Sequence, residues 1–254
     1  MNTPTFCLIG SGKALQYAKE FLMKRGIRIA DSPSPSVTHV LLPVPSFDQL
    51  GNIRDGILPK EALNCFSENV TIFGGNLANP SVQNYRCVDF LQDPYYLADN
   101  AAITADCALT SLASKLPVVL DGCPILIIGW GRIGKCLSKK LSALGVDVTI
   151  AARKETDRAT LQSLGYRAVS TETWADLLPH FRAVVNTAPV PVMTEADTSR
   201  CNKQCVFLDL ASKPGIFADN VSWERGLPNR DAPESSGSLI AQTALRFLRK
   251  EGWL

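Results

Sequence analysis

Histidine is almost missing from this chain, with two in 254 residues. Chemistry that needs an imidazole beside the reacting atoms therefore has few candidates here. Charge of one sign is also lacking: 26 Lys and Arg against 24 Asp and Glu leave a net +2. No basic stripe is present, so there is no electrostatic footprint for nucleic acid. No run of about 18 apolar residues occurs, and no membrane span is expected. The first apolar run, Phe6 to Ile9, is too short for a signal peptide and has no basic region before it, so a cytoplasmic protein is expected. The cysteines at 7, 65, 87, 107, 123, 136, 201 and 205 form no CxxC and have no paired histidines nearby. They read as reduced core thiols, and no metal site is expected.

What the chain does have is 46% hydrophobic and 20% charged residues, a globular balance. At its centre lies Ile125-Leu-Ile-Ile-Gly-Trp-Gly-Arg-Ile-Gly134, an apolar run that breaks into glycines spaced G-x-G-x-x-G. Ile125 to Ile128 reads as a strand buried on both faces, and Ile133, Leu137, Leu141 and Leu144 mark the helix that follows. In a dinucleotide site Gly129 permits the tight turn, Gly131 lets the backbone approach a pyrophosphate, and Gly134 lets the helix pack closely. The N–H groups of that helix start, from Arg132, Ile133 and Gly134, then face the phosphates. The residue that chooses the nucleotide stands at the end of the next strand, Val146 to Ala151, and it is Arg153 with Lys154 beside it. An acidic side chain there would hold the ribose hydroxyls of NAD, whereas two cations favour the 2′-phosphate of NADP. NADP is the expected cofactor.

The fold class expected is α/β, with two open parallel-sheet domains: residues 1–99, flavodoxin-like, and residues 100–236, a Rossmann domain binding NADP. The C-terminal helix, with residues 237–254, returns to the first domain at the junction. Strands are predicted at Thr5 to Ile9, Ile27 to Ile29, Val37 to Leu42 and Val70 to Phe73, with a helix from about Lys13 to Arg25. The Gly10-Ser-Gly12 turn reads as structural rather than as a phosphate loop. A helical run, Ala101 to Leu116, places Thr104 and Asp106 in its first turn, where they can line an interdomain cleft. A short helix capped by Thr171 is predicted to about Leu178. Ala183 to Asn186 and Val206 to Leu210 are later strands, delivering Thr187-Ala188-Pro189 and Ala211-Ser-Lys-Pro-Gly215 to the carboxyl edge. Ligands of open parallel sheets lie beyond that edge, so these loops should flank the nicotinamide.

Together, Asn100-Ala-Ala-Ile-Thr-Ala-Asp106, Gly129-Trp-Gly-Arg-Ile-Gly134 with Ala152-Arg-Lys154, Asn186-Thr-Ala-Pro189, Asp209-Leu-Ala-Ser-Lys-Pro-Gly215 and Gly226-Leu-Pro228 with Ala232-Pro233 resemble the A subunit of bacterial dipicolinate synthase. The resemblance runs from about residue 100 to the end. It implies an NADP-dependent oxidation of a dihydrodipicolinate-type dicarboxylate to dipicolinate in sporulation, with the flavoprotein-like B subunit of that synthase as partner. Ile9 to Ala14 and the segments Asn229-Arg-Asp231 and Glu234-Ser-Ser236 depart from the family's pattern.

An oxidation that aromatises a ring needs no strong dedicated base, which suits the scarcity of histidine. Lys213 is expected to pair with the substrate carboxylates, helped by Arg230 or Arg225, with Ser212 and Thr104 hydrogen-bonding nearby and Asp106 also facing the substrate. A two-domain hydroxyacid dehydrogenase is the competing enzyme. It would need a histidine near the hydride acceptor, yet His39 and His180 stand at the amino ends of predicted strands. A third reading is an NADP-binding protein without catalysis. A homodimer is the expected assembly.

Overall fold

The computed structural model describes residues 3–54 and 57–254. The chain divides into two units, Met1–Asn100 with Pro228–Leu254, and Ala101–Leu227. The first unit contains β1 (Thr5–Leu8), α1 (Lys13–Lys24), β2 (Arg28–Ile29), β3 (His39–Leu41), α2 (Pro59–Leu63), β4 (Thr71–Gly74) and β5 (Arg86–Asp89). These strands form one parallel sheet in the order β2-β1-β3-β4-β5, the doubly wound flavodoxin-like order. Strand β5 lies outside the expected set, because Arg86 and Cys87 are exposed at this sheet edge and no apolar alternation marks it.

One face of this sheet carries an aromatic stack. The His39 ring lies 5.0 Å from Phe6 and 5.6 Å from Phe73, and meets Trp253 edge-on at 4.9 Å. Because the Thr38 hydroxyl donates to the Thr5 carbonyl, its oxygen is left to accept from His39 Nδ1 at 2.8 Å. That fixes the Nδ1–H tautomer and leaves Nε2 buried with no partner among the described residues. Burial first, and then the Arg86 charge, pull the imidazole down to about 4. His39 is thus a neutral core aromatic.

The helix expected over Ala101 to Leu116 begins earlier, as α3 (Pro94–Lys115). Asp93 starts it, its carboxylate accepting from Tyr96 N–H at 3.0 Å with Pro94 in the first turn. Thr104 and Asp106 therefore sit in mid-helix rather than in a first turn.

The second unit continues with β6 (Pro124–Ile128), α4 (Arg132–Ala143), β7 (Asp147–Ala151), α5 (Glu155–Ser163), β8 (Arg167–Val169), β9 (Ala183–Asn186), α6 (Glu195–Thr198), β10 (Val206–Asp209) and β11 (Val221–Trp223). Its sheet is wholly parallel, in the order β11-β10-β9-β6-β7-β8. Counted within the unit this is the 3-2-1-4-5-6 order of dinucleotide-binding domains, with its switch point between β6 and β9. Edge strand β11 is likewise an addition to the expected strands, being three residues long and only partly buried. No α-helix follows Thr171: turns lead to a 3-10 turn at Leu178–His180, since Trp174 and Leu178 are buried as anchors and Pro179 denies the next backbone donor. Leu126, Ile128, Phe181, Val184 and Phe207 pack in one core cluster. Each such side chain contributes about 1.5–3 kcal/mol by leaving water.

The chain rejoins the first unit from Pro228, earlier than the expected 237, with α7 (Leu227–Asp231) and α8 (Pro233–Lys250). The reason is local: Asn229 Nδ2 donates to the Val44 carbonyl at 3.0 Å, and Ser236 Oγ donates to Asn229 Oδ1 at 2.6 Å. Helix α8 packs on α1 at Gly237, where a Cβ would run into the carbonyl oxygen of Ala14. Among the described residues no helix is long and apolar enough to cross a membrane.

Candidate functional site

Two of the three glycines at the β6–α4 turn meet a steric constraint from the protein itself. Gly129 has φ +104°, and a Cβ on it would approach Thr187 Oγ1 to 2.6 Å. Thr187 needs that space, because its hydroxyl donates to the Ile128 carbonyl at 2.9 Å, joining the ends of β6 and β9 at the switch point. At Gly134 a Cβ would collide with the carbonyl oxygen of Gly129, so only glycine lets α4 start this close to β6. Around Gly131, by contrast, a Cβ would meet nothing within 4 Å among the described residues. Gly131 caps α4 without a side-chain hydrogen bond, and no acidic residue stands in the first turn. The N–H groups at the start of α4, including Arg132, Ile133 and Gly134, are thus left for an anion. This arrangement fits a pyrophosphate.

At the end of β7 the strand passes through Ala152 into Arg153 and Lys154, both exposed, before α5 begins. A third cation, Arg158, reaches back to this turn, its Nη1 donating to the carbonyls of Ala152 at 2.9 Å and Arg153 at 2.7 Å. Sequence spacing carries no signal for Arg158, because the contact is to backbone.

The loops after β9 and β10 are held by two fully buried polar side chains, Asn186 and Asp209. Asp209 Oδ1 accepts from Asn186 Nδ2 at 2.9 Å and Ala211 N–H at 3.0 Å. Its Oδ2 accepts from Gly215 N–H at 2.6 Å and Ile216 N–H at 3.1 Å. Asn186 also binds both polar backbone groups of Ala188, accepting from its N–H at 2.9 Å and donating to its carbonyl at 3.0 Å. One carboxylate and one amide therefore shape Thr187-Ala188-Pro189 and Ala211-Ser-Lys-Pro-Gly215 together. Trp223 adds a strut, its indole N–H donating to the Ala211 carbonyl at 2.9 Å. Asp209, Asn186 and Trp223 are not among the sequence-predicted site residues, although the first two lie within the motifs that carry the resemblance.

Of the expected substrate-side residues, Ser212 and Lys213 lie exposed on the Asp209-anchored loop, and Ala211 of the same loop, expected on the cofactor side, is buried. Arg225 stacks on the Trp223 ring, 5.3 Å from its centroid. Three others are placed differently from expectation. Thr104 is buried within α3. Asp106 is exposed, but its carboxylate pairs with Lys140 of α4 at 2.6 Å. Arg230 belongs to the first unit and grips its neighbour Asp231 through its Nε–Nη2 edge, at 2.7 and 2.9 Å. His39 begins β3 of the first unit, and His180 lies ahead of β9, so neither histidine stands at the carboxyl edge of the second sheet. The cysteines are not all core thiols, since Cys65 and Cys87 are exposed.

Fold and site together define a nicotinamide-dinucleotide-binding, dehydrogenase-like protein. Residues 108–200 match the family model described as D-isomer specific 2-hydroxyacid dehydrogenase, NAD binding domain. Over 240 residues the chain is 21% identical to the A subunit of dipicolinate synthase from Bacillus subtilis (strain 168), covering 87% of this chain and 80% of that protein. The crystal structure of the corresponding dipicolinate synthase A subunit from Bacillus halodurans superposes with a TM-score of 0.84 at 20% identity, covering 98% of this chain and 99% of that one. The A chain of dipicolinate synthase from Bacillus subtilis gives 0.82 at 18% identity, with 98% and 97% covered. The resemblance read from the motifs is thus found again along nearly the whole chain, in sequence and in fold.

Proposed function

We propose that the chain is an NADP-dependent oxidoreductase, the A subunit of a dipicolinate synthase, oxidising a dihydrodipicolinate-type dicarboxylate to dipicolinate in the cytoplasm of a sporulating cell. It would act as a homodimer accompanied by the synthase's flavoprotein-like B subunit. The observation that carries this reading is the loop Asp209-Leu-Ala-Ser-Lys-Pro-Gly215, held by Asp209 at the carboxyl edge of a dinucleotide-type sheet. The preference for NADP is supported by Arg153 and Lys154, which put positive charge where an acidic residue would accept ribose hydroxyls.

When bound, the nicotinamide supplies the hydride acceptor. The protein's part is binding and orientation. Lys213 offers an ammonium on the exposed loop, suited to a substrate carboxylate, and Ser212 beside it offers a hydroxyl for a further hydrogen bond. Asp209 and Asn186 restrain the backbone that carries both, so little reorganisation accompanies binding. Loss of hydride and one proton gives an aromatic ring, so the proton can leave to water without a strong base. Thr104, Asp106 and Arg230 support the substrate role less, the first being buried and the other two already ion-paired. Those two engaged charges favour a second reading, NADP binding without catalysis.

The test is an anaerobic assay starting from the product of dihydrodipicolinate synthase, with NADP or NAD, with and without an added B subunit. Dipicolinate formed with NADP supports the reading. Tight NADPH binding with no dipicolinate under any of these conditions would leave the non-catalytic reading.

A further inference from the structure

We propose that Arg158, rather than Arg153 acting alone, is the preorganised partner of the NADP 2′-phosphate and the residue that sets nucleotide choice. This rests on the nucleotide reading above. A guanidinium presents its N–H groups on fixed edges. In Arg158 the Nη1 group is committed to the carbonyls of Ala152 and Arg153, the residues that leave β7. The Nε–Nη2 edge, the one that meets a phosphate with two parallel hydrogen bonds, has no protein partner among the described residues. Arg158 is half-buried, so the anchored side chain has already lost much of its rotamer freedom.

Arg153 and Lys154 differ in this respect. Both are exposed, and neither side chain has a hydrogen bond or ion pair among the described residues. Each would have to be ordered when a phosphate binds, which reduces its net contribution. Nor can general positive charge make the selection, because Glu155 and Asp157 in the same turn offset two of the three cations. What distinguishes this turn is a fork held in place against the strand end.

Affinities of NADPH and NADH, and of the fragments 2′-phospho-ADP-ribose and ADP-ribose, are to be measured by calorimetry on the full chain and on R158M, R158K and R153M. R158M is expected to weaken both phosphorylated ligands roughly 10- to 100-fold while leaving NADH and ADP-ribose within about twofold. R158K, which keeps the charge without the fork, should fall closer to R158M than to the parent. R153M should cost less than R158M. Equal losses for NADPH and NADH in R158M would reduce Arg158 to a backbone clamp and overturn the proposal, as would a larger loss in R153M. Unchanged NADH binding certifies that the variants are folded. A parent protein that does not favour the phosphorylated ligands would instead sink the nucleotide reading itself, and this proposal with it.

Discussion

Replacing Asp209 by Asn probes the least replaceable polar contact of the second unit. The carboxylate is fully buried and accepts four hydrogen bonds, from Asn186 Nδ2 and the N–H groups of Ala211, Gly215 and Ile216. An amide keeps one accepting oxygen and turns the other into a donor. Whichever way it is placed, two of those four donors then face an N–H. A hydrogen bond to a charged group contributes about 1.5–3 kcal/mol net, so the loss of two costs roughly 3–6 kcal/mol. That is a large fraction of the ~5–15 kcal/mol that holds a typical domain folded. Flipping the Asn186 amide relieves only one clash, and breaks the paired contacts with Ala188. Urea unfolding followed by tryptophan fluorescence should therefore show a much lower midpoint for D209N, with an unchanged slope. A loss below about 1 kcal/mol would refute the reasoning, because it would mean that the four donors find other partners.

Other outcomes follow from single contacts. Gly134→Ala places a methyl group against the Gly129 carbonyl, a backbone atom that cannot swing aside, and should abolish dinucleotide binding in an NADPH titration while the first unit stays folded. Lys213→Ala should raise the KM for the dicarboxylate roughly 10- to 100-fold with NADPH affinity unchanged, as expected for one charge-assisted contact; normal substrate affinity would remove Lys213 from the site. His39 titrates at about 4 in the folded chain against 6.5 ordinarily. The unfolded chain therefore takes up this proton first, and stability that is complete above pH 6.5 is lost as the pH falls towards 4, by about 3 kcal/mol. His39→Phe should flatten this part of the stability profile, and an identical profile in the variant would assign the effect elsewhere.

The dinucleotide turn is legible in the sequence because several signals adjoin one another: an apolar strand, three glycines of which Gly129 and Gly134 are sterically required, and a helix with its apolar residues on one face. The loops after β9 and β10 are legible as carboxyl-edge segments, since strand runs such as Ala183 to Asn186 announce where the chain must emerge. What the sequence conceals is of two kinds. Edge strands β5 and β11 pair on one side only and need no apolar alternation, so their residues resemble loop. Polar side-chain partnerships leave no periodicity: Lys140 engages Asp106 from another helix, Asp209 collects donors from its own loop and from β9, and Arg158 binds carbonyls. The start of α3 is hidden for a simpler reason. Asp93-Pro94 is a helix-opening pair, but a proline at this position reads equally well as the end of the preceding loop.

The most direct test is a side-by-side titration of the purified protein with NADPH and NADH, read by quenching of tryptophan emission, to which Trp130 at the glycine turn should contribute. The account predicts saturable binding of NADPH, at least tenfold tighter than NADH given one charge-assisted phosphate contact. Equal or tighter NADH binding would contradict the role given to the cations after β7, and no binding of either would contradict the dinucleotide site itself.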